Sequence, residues 1–288
     1  MTAWEPVLFQ LLNGVVWGLI LALISLGLCL IYGLMGIINI AHGSLYMVGA
    51  VLTVYLAKAL GMNFWLVLLL APLAVAALGL VLNSLVFARV VRRDPAIGLL
   101  ATAGLLLIID NSALALFGGA PESVNAPLED AVQIFGIHYP SYRLAAAGIA
   151  LAVLIAVWAF LRYTKYGLWM RAVPQSRDLA AAIGVPIARV NAVTVALGGL
   201  TAGLAGALVA PISAAYFQMG LTILASAFII VVIGGLGNLL GAVVVALGFG
   251  VILGLFSVAL TPTWAEATTL LVLVPLLYFK PNGILGSR

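Results

Sequence analysis

Charge is what this chain has least of. Only 7% of its 288 residues are Asp, Glu, Lys or Arg, 12 basic against 8 acidic, where a soluble domain carries roughly 25%. A surface so poor in charge faces a solvent other than water, and a lipid bilayer is that solvent. The one cysteine, Cys29, has no partner in the chain, which excludes an intrachain disulfide and a cysteine-built metal site. The two histidines, His42 and His138, form no His-Glu-x-x-His pattern, and no paired carboxylates stand at helical spacing, so an intramembrane hydrolase is not expected. Lys58, Lys165 and Lys280 all lie outside a G-x-x-x-x-G-K-[ST] loop, which leaves the chain without a nucleotide-binding engine of its own. The start, MTAWEPVLFQ, lacks a basic leader region, and the apolar run behind it is too long for a cleaved signal peptide; it reads as mature sequence.

What fills the chain is apolar: 65% of it is hydrophobic, enough for roughly nine spans of about 20 residues and little else. Long apolar runs between polar or Gly/Pro breaks predict spans near Val7–Gly33, Ile40–Ala57, Phe64–Ala88, Ala96–Phe117, Leu144–Leu161, Val190–Ile212, Leu221–Ile233, Leu239–Leu260 and Ala265–Phe279. The fold class expected is therefore all-α, a single polytopic membrane domain over residues 1–288 with eight to nine transmembrane helices. The second and seventh spans, short or Gly-rich, are candidates for broken or re-entrant segments. GLMGIINIAHG (Gly33–Gly43) reads as a hairpin at one membrane face. Small residues at helical spacing, such as Gly199, Gly203 and Gly206, predict close helix packing.

The basic residues give the orientation. Arg89, Arg92, Arg93, Arg162, Lys165, Arg171, Arg177, Arg189, Lys280 and Arg288 fall on one side of the predicted bundle, and Lys58 and Arg143 on the other with Glu5, Glu122, Glu129, Asp130 and Glu266. The positive-inside rule then puts the N-terminus outside and the C-terminus in the cytoplasm. Charges scattered over separate loops, without interleaved aromatics, argue against a nucleic-acid surface despite the net charge of +4. Trp65 and Trp264 near predicted outer boundaries and Trp158 near an inner one fit interfacial aromatic belts.

Two kinds of feature stand out as chemistry. Asp110 and Asn111 lie inside the fourth span, where an acid costs about 3 kcal/mol on insertion scales; a pathway role and a structural one are both open. Asn39, His42 and Ser44 stand where a helix restarts after Gly36, either lining a water-filled path or satisfying the broken backbone. The second feature is the loop Thr164–Arg189. Ser176 is placed to cap a short helix, Gly184 to stop it and Pro186 to prevent its continuation. Leu179 and Ile183, four apart, share its apolar face beside Arg171, Arg177 and Asp178. The helix either lies on the membrane and neighbouring helix ends or docks into a groove of a cytoplasmic partner.

The runs GLMGIINIAHGSLYMVGA (Gly33–Ala50), TKYGLWMRAVPQSRDLAAAIGV (Thr164–Val185), GGLGNLLGAVV (Gly234–Val244) and LYFKPNGILG (Leu277–Gly286) resemble the membrane permease family of bacterial branched-chain amino acid ABC importers, in its shorter permease subunit. The likeness covers nearly the whole chain, and the first two motifs together are specific. It implies a heterodimer of two permeases, two cytoplasmic ATPase subunits that bind ATP and Mg, a periplasmic substrate-binding protein, and a place in the bacterial inner membrane, with no cofactor on this chain. It also implies that Thr164–Arg189 is the ATPase-coupling segment, with Arg171, Ala172, Asp178, Ala181 and Gly184 as its carried-over positions. The substrate class implied is branched-chain amino acids, with urea, short amides and other small acids as alternatives. Asp110 and His42 keep an ion-coupled secondary transporter open as a second class. A non-transporting redox anchor is the third, for which no paired haem-type histidines are visible.

Overall fold

The computed structural model describes residues 4–91, 93–280 and 283–284. Arg92 and Arg288 of the charge map, with part of the Leu277–Gly286 motif, lie outside the described residues. Twelve α-helices are seen among those described: α1 (Glu5–Met35), α2 (His42–Lys58), α3 (Phe64–Leu82), α4 (Ala88–Val90), α5 (Pro95–Phe117), α6 (Ser141–Tyr163), α7 (Lys165–Ala172), α8 (Arg177–Ala182), α9 (Ile187–Val209), α10 (Met219–Gly234), α11 (Leu239–Phe256) and α12 (Pro262–Phe279). A π-helical turn, Asn83–Phe87, joins α3 to α4 in one continuous rod.

Six of these, Glu5–Met35, Phe64–Val90, Pro95–Phe117, Ser141–Tyr163, Ile187–Val209 and Leu239–Phe256, are long and apolar enough to cross a membrane. The second and seventh expected spans became α2 and α10, of 17 and 16 residues, shorter than a bilayer requires for a simple rod. The expectation of an all-helical chain missed one element. A small antiparallel hairpin, β1 (Ala131–Ile134) with β2 (Ile137–Pro140), pairs Val132 with Tyr139 and Gln133 with His138. It turns at Phe135 and Gly136, both at positive φ, in a stretch whose four-residue strands are too short to show a period-2 pattern.

The helices divide into a core and a jacket. The apolar window of α1 is 89% buried and that of α9 72%, whereas α6 stands at 28%. Exposed Leu100, Leu107, Ile108 and Leu116 on α5, and Leu271 on α12, give the jacket an apolar outer face, as a bilayer or a membrane-embedded partner demands.

Glycine lets the core helices touch backbone to backbone. A Cβ on Gly206 would stand 2.0 Å from the Tyr46 carbonyl, on Gly49 2.3 Å from that of Gly203, and on Gly14 2.3 Å from that of Gly250. The two halves of the chain pack alike: α1 lies on α11 as α9 lies on α3, and α2 and α10 each rest against the other half's long central helix. α1 and α9 run antiparallel, with Gly27 facing Gly198 and Thr201. The bundle is therefore built from two similar groups of opposite direction, an arrangement typical of transporters.

Chain direction sorts the charges by end. The ends of α4 and α6, the α7–α8 loop and Lys280 share one end, the basic end; the hairpin, Lys58 and Glu122 share the other. At the hairpin end Tyr139 donates to Asn13 Oδ1 at 2.9 Å, and Arg143 donates to the same oxygen. Burial pushes the Tyr139 hydroxyl above its ordinary pKa, while the Arg143 cation beside it pulls the other way.

Replacing Gly206 with Val is expected to lower stability by about 3 kcal/mol, read as a fall in thermal midpoint of the detergent-solubilised protein. Gly148→Ala, where nothing stands within 4 Å of the added Cβ, should leave that midpoint unchanged or raise it.

Candidate functional site

The expected hairpin at Gly33–Gly43 is not what the chain forms. α1 ends at Gly36, whose φ of 66° gives a left-handed stop, its N–H donating to the Tyr32 carbonyl. The chain then turns back into the bundle without regular structure over residues 36–39, makes a turn in which His42 N–H donates to the Asn39 carbonyl at 3.2 Å, and restarts as α2 at His42. Three contacts with α5 track this climb in order: Ile37 beside Gly98, Ile38 and Ile40 at Thr102, and Ser44 at Asp110. On α1, His42 Nε2 meets the Ile24 carbonyl at 3.1 Å. Helical rise from Ile24 to Met35 is about 16 Å, so the contact of His42 with the Ile24 carbonyl places the start of α2 deep inside the bundle. The sequence marks the break after Gly36 but not its depth, because apolar Ile37, Ile38 and Ile40 carry no sign of which face or level the segment reaches.

A buried unwound backbone needs partners. Thr102 supplies them: its hydroxyl lies 3.0 Å from the Ile38 carbonyl and accepts from the Ile40 N–H at 3.3 Å. Sequence reasoning passed over Thr102, although it stands about two turns before Asp110 on the same helix. Ser44 donates to Asp110 Oδ1 at 2.6 Å, with both residues buried. The carboxylate thereby sits at the start of α2, whose N-cap, Ala41, has no side chain to cap it. A carboxylate is stabilised by the positive end of a helix, so burial of Asp110 and the uncapped start offset one another.

The structure thus joins Ser44 to Asp110 on the α5 side of the α2 start, turns His42 toward α1, buries Asn39 in the unwound segment before it, and leaves Asn111 elsewhere. Asn111, about 100° round the helix from Asp110, is exposed on a different face of α5, donating to its own helix at the Leu107 carbonyl, 2.7 Å away. Asn39 is 1% exposed, and neither atom of its amide has a partner among the described residues; the same holds for His42 Nδ1. These buried groups hold hydrogen-bonding capacity to spare. α10 also reaches the start of α2: Gly220 packs on Gly43, a Cβ there falling 2.5 Å from the Gly43 carbonyl. The starts of α2 and α10 therefore meet inside the bundle, and α10 likewise lacks a side-chain cap.

At the basic end, Thr164–Arg189 holds two helices where one was expected. Thr164 Oγ1 caps α7 by accepting from Gly167 N–H at 3.1 Å. Ser176 Oγ caps α8 by accepting from Leu179 N–H at 3.3 Å; Gly184 stops it at φ 85°. Val173, Ala180 and Val185 are buried against the bundle and hold the loop in place. Leu179 and Ile183 remain 63% and 72% exposed, with Arg171, Asp178, Ala181 and Gly184 also exposed and Ala172 half-buried. A cavity of about 1180 Å³ opens beside the loop; Arg162 and Arg171 share its wall with Tyr32 and Gly36, the last turn of α1 and its stop. The loop and the broken segment thus border one space. Among the described residues no cluster of His, Cys, Asp or Glu could hold a metal ion.

The family described as "Branched-chain amino acid transport system / permease component" matches residues 10–279. The high-affinity branched-chain amino acid transport system permease protein LivH of Salmonella typhimurium is 27% identical over 96% of this chain and 94% of its own. BraD of Pseudomonas aeruginosa, with the same description, is 25% identical over 96% and 95%. Among solved structures, PsaBC from Streptococcus pneumoniae in complex with Fab aligns with a TM-score of 0.51 at 13% identity, over 93% of this chain and 89% of that one, a likeness of fold alone.

Thr102→Val keeps the shape of the side chain but strips the Ile38 carbonyl and Ile40 N–H of their partner. It is expected to cost about 1–3 kcal/mol for each orphaned group, measured as a lower thermal midpoint, with Thr102→Ser retaining most of the stability.

Proposed function

The chain belongs to the branched-chain amino acid transport permease family, a multi-pass membrane family, and from that membership we propose that it is one permease of an ATP-binding-cassette importer. With a second permease it forms the path for branched-chain amino acids across the bacterial inner membrane. A periplasmic protein delivers the substrate, and two cytoplasmic ATPase subunits bind ATP and Mg and supply the work. The basic end, by the positive-inside rule, is the cytoplasmic one.

The observation that carries this reading is α8, a capped helix anchored through Ala180 that presents Leu179 and Ile183 to solvent among charged neighbours. Exposed apolar side chains on a rigidly held helix suit a groove in a partner. The mechanism follows from the shared cavity at the basic end. Closure of the ATPases presses on α7 and α8, the Arg171 wall moves against the Tyr32–Gly36 end of α1, and the unwound segment behind Gly36 shifts relative to α5. Asn39, His42, Ser44 and Asp110 lie along that segment and its restart, where a passing polar group would find unsatisfied partners. Affinity resides in the delivery protein, so the path need bind only weakly.

Two measurements test the reading. Leu179→Asp with Ile183→Asp should abolish co-purification of an ATPase subunit expressed from neighbouring genes, while the permease stays in the membrane; recovery of the ATPase at wild-type yield would overturn the docking assignment. Arg171→Ala or Asp178→Ala should leave assembly intact and uncouple ATP hydrolysis from leucine uptake in proteoliposomes.

A further inference from the structure

A second carboxylate of the bundle sits in a cavity remote from α7 and α8. Glu266, in the second turn of α12, accepts a hydrogen bond from Ser226 Oγ of α10 at 2.8 Å and has no cationic partner among the described residues. It faces a cavity of about 190 Å³ walled by Trp17 of α1, Tyr46 of α2, Tyr216 of the α9–α10 connection and Phe249 of α11, with Ser226 beside it. Six helices, α1, α2, α9, α10, α11 and α12, and the α9–α10 connection contribute to this space, so it is part of the bundle's design and no crevice of one loop.

The chemistry of the lining selects its ligand. One hydrogen bond leaves Glu266 with most of its acceptor sites free, a match for an ammonium with three N–H donors. Four aromatic rings around a cavity attract cations through their faces and accept an apolar stem along their bodies. An inorganic cation such as Na⁺ or Ca²⁺ is served poorly, because one carboxylate and one hydroxyl fall far short of its usual oxygen shell. The space equals about six waters at roughly 30 Å³ each, which suits a small amine and excludes a peptide.

We propose that the Glu266–Ser226 cavity is a binding subsite for a primary ammonium carried on a short apolar stem, with Glu266 as the group that recognises the charge. It rests on, and deepens, the reading of this chain as a path for branched-chain amino acids, whose ammonium would be held here while the apolar side chain lies against Trp17 and Phe249.

The test uses the full-length chain in lipid nanodiscs with radiolabelled 3-methylbutylamine, the stem and ammonium of leucine without its carboxylate. Saturable binding is expected, displaced by L-leucine and left untouched by 4-methylpentanoate, which keeps the carboxylate and lacks the ammonium. Glu266→Gln should weaken it about tenfold or more, the scale of one charge-assisted hydrogen bond. Glu266→Asp should retain part of the binding and keeps the assignment testable where Gln perturbs folding. Equal affinity in wild type and Glu266→Gln, equal competition by 4-methylpentanoate, or displacement by millimolar sodium chloride would each overturn the proposal. Leucine uptake by the assembled importer is scored separately: uptake without amine binding sinks the subsite alone, and amine binding without uptake sinks the transport reading alone.

Discussion

A helix that stops inside an apolar bundle leaves amide N–H and carbonyl groups that water cannot reach, and each must find a partner in the protein. The segment Gly36–Ala41 imposes that demand here. Thr102 meets it for Ile38 and Ile40, the Ile24 carbonyl engages His42, and the Ser44–Asp110 bond places a negative charge at the bare start of α2. α5 is pinned to the break along its length as a consequence. The close approach of α10 to the same point, Gly220 on Gly43, is affordable only because neither residue has a side chain.

That arrangement links the two ends of the molecule. α1 is both the most buried helix and the one whose C-terminal stop borders the basic cavity. A rigid rod of about 46 Å transmits displacement well, and the unwound segment following it is held at Ile38 and Ile40 by a single hydroxyl, Thr102, in place of a helical ladder. In the proposed mechanism, force applied near Arg171 is delivered where polar groups lie at depth. The Glu266 cavity, which Tyr46 also lines, lies where α12 of the jacket meets the core helices α1, α2, α10 and α11.

Much of this was legible before any coordinates. Apolar runs located the six long helices within a few residues, because a bilayer demands length and uniform hydrophobicity together. Ser176, Gly184 and Pro186 marked α8 correctly, since caps and stops act through local hydrogen bonds and φ. α7 was overlooked, its sequence KYGLWMRA mixing charged and apolar residues over barely two turns. The hairpin of β1 and β2 escaped for a similar reason of length. Asn111 was grouped with Asp110 because adjacency in sequence hides the 100° turn between neighbours on a helix, which sends the two side chains to different faces. Thr102 and the Ser226–Glu266 pair carried no local signal: a threonine in an apolar run and a glutamate near a helix start have ordinary explanations until a distant element is placed beside them.

The sequence by itself determined the solvent, the long helices, the sorting of charge to one end and the chemistry missing from the chain, since all of these depend on composition and on neighbours within one or two turns. Only the tertiary structure decided that the second helix begins deep in the bundle, that α10 begins against it, and that Ser44 meets Asp110 while Ser226 meets Glu266. Those facts are set by packing between segments dozens of residues apart, where glycine-to-glycine contact fixes the register and no periodicity along the chain can report it.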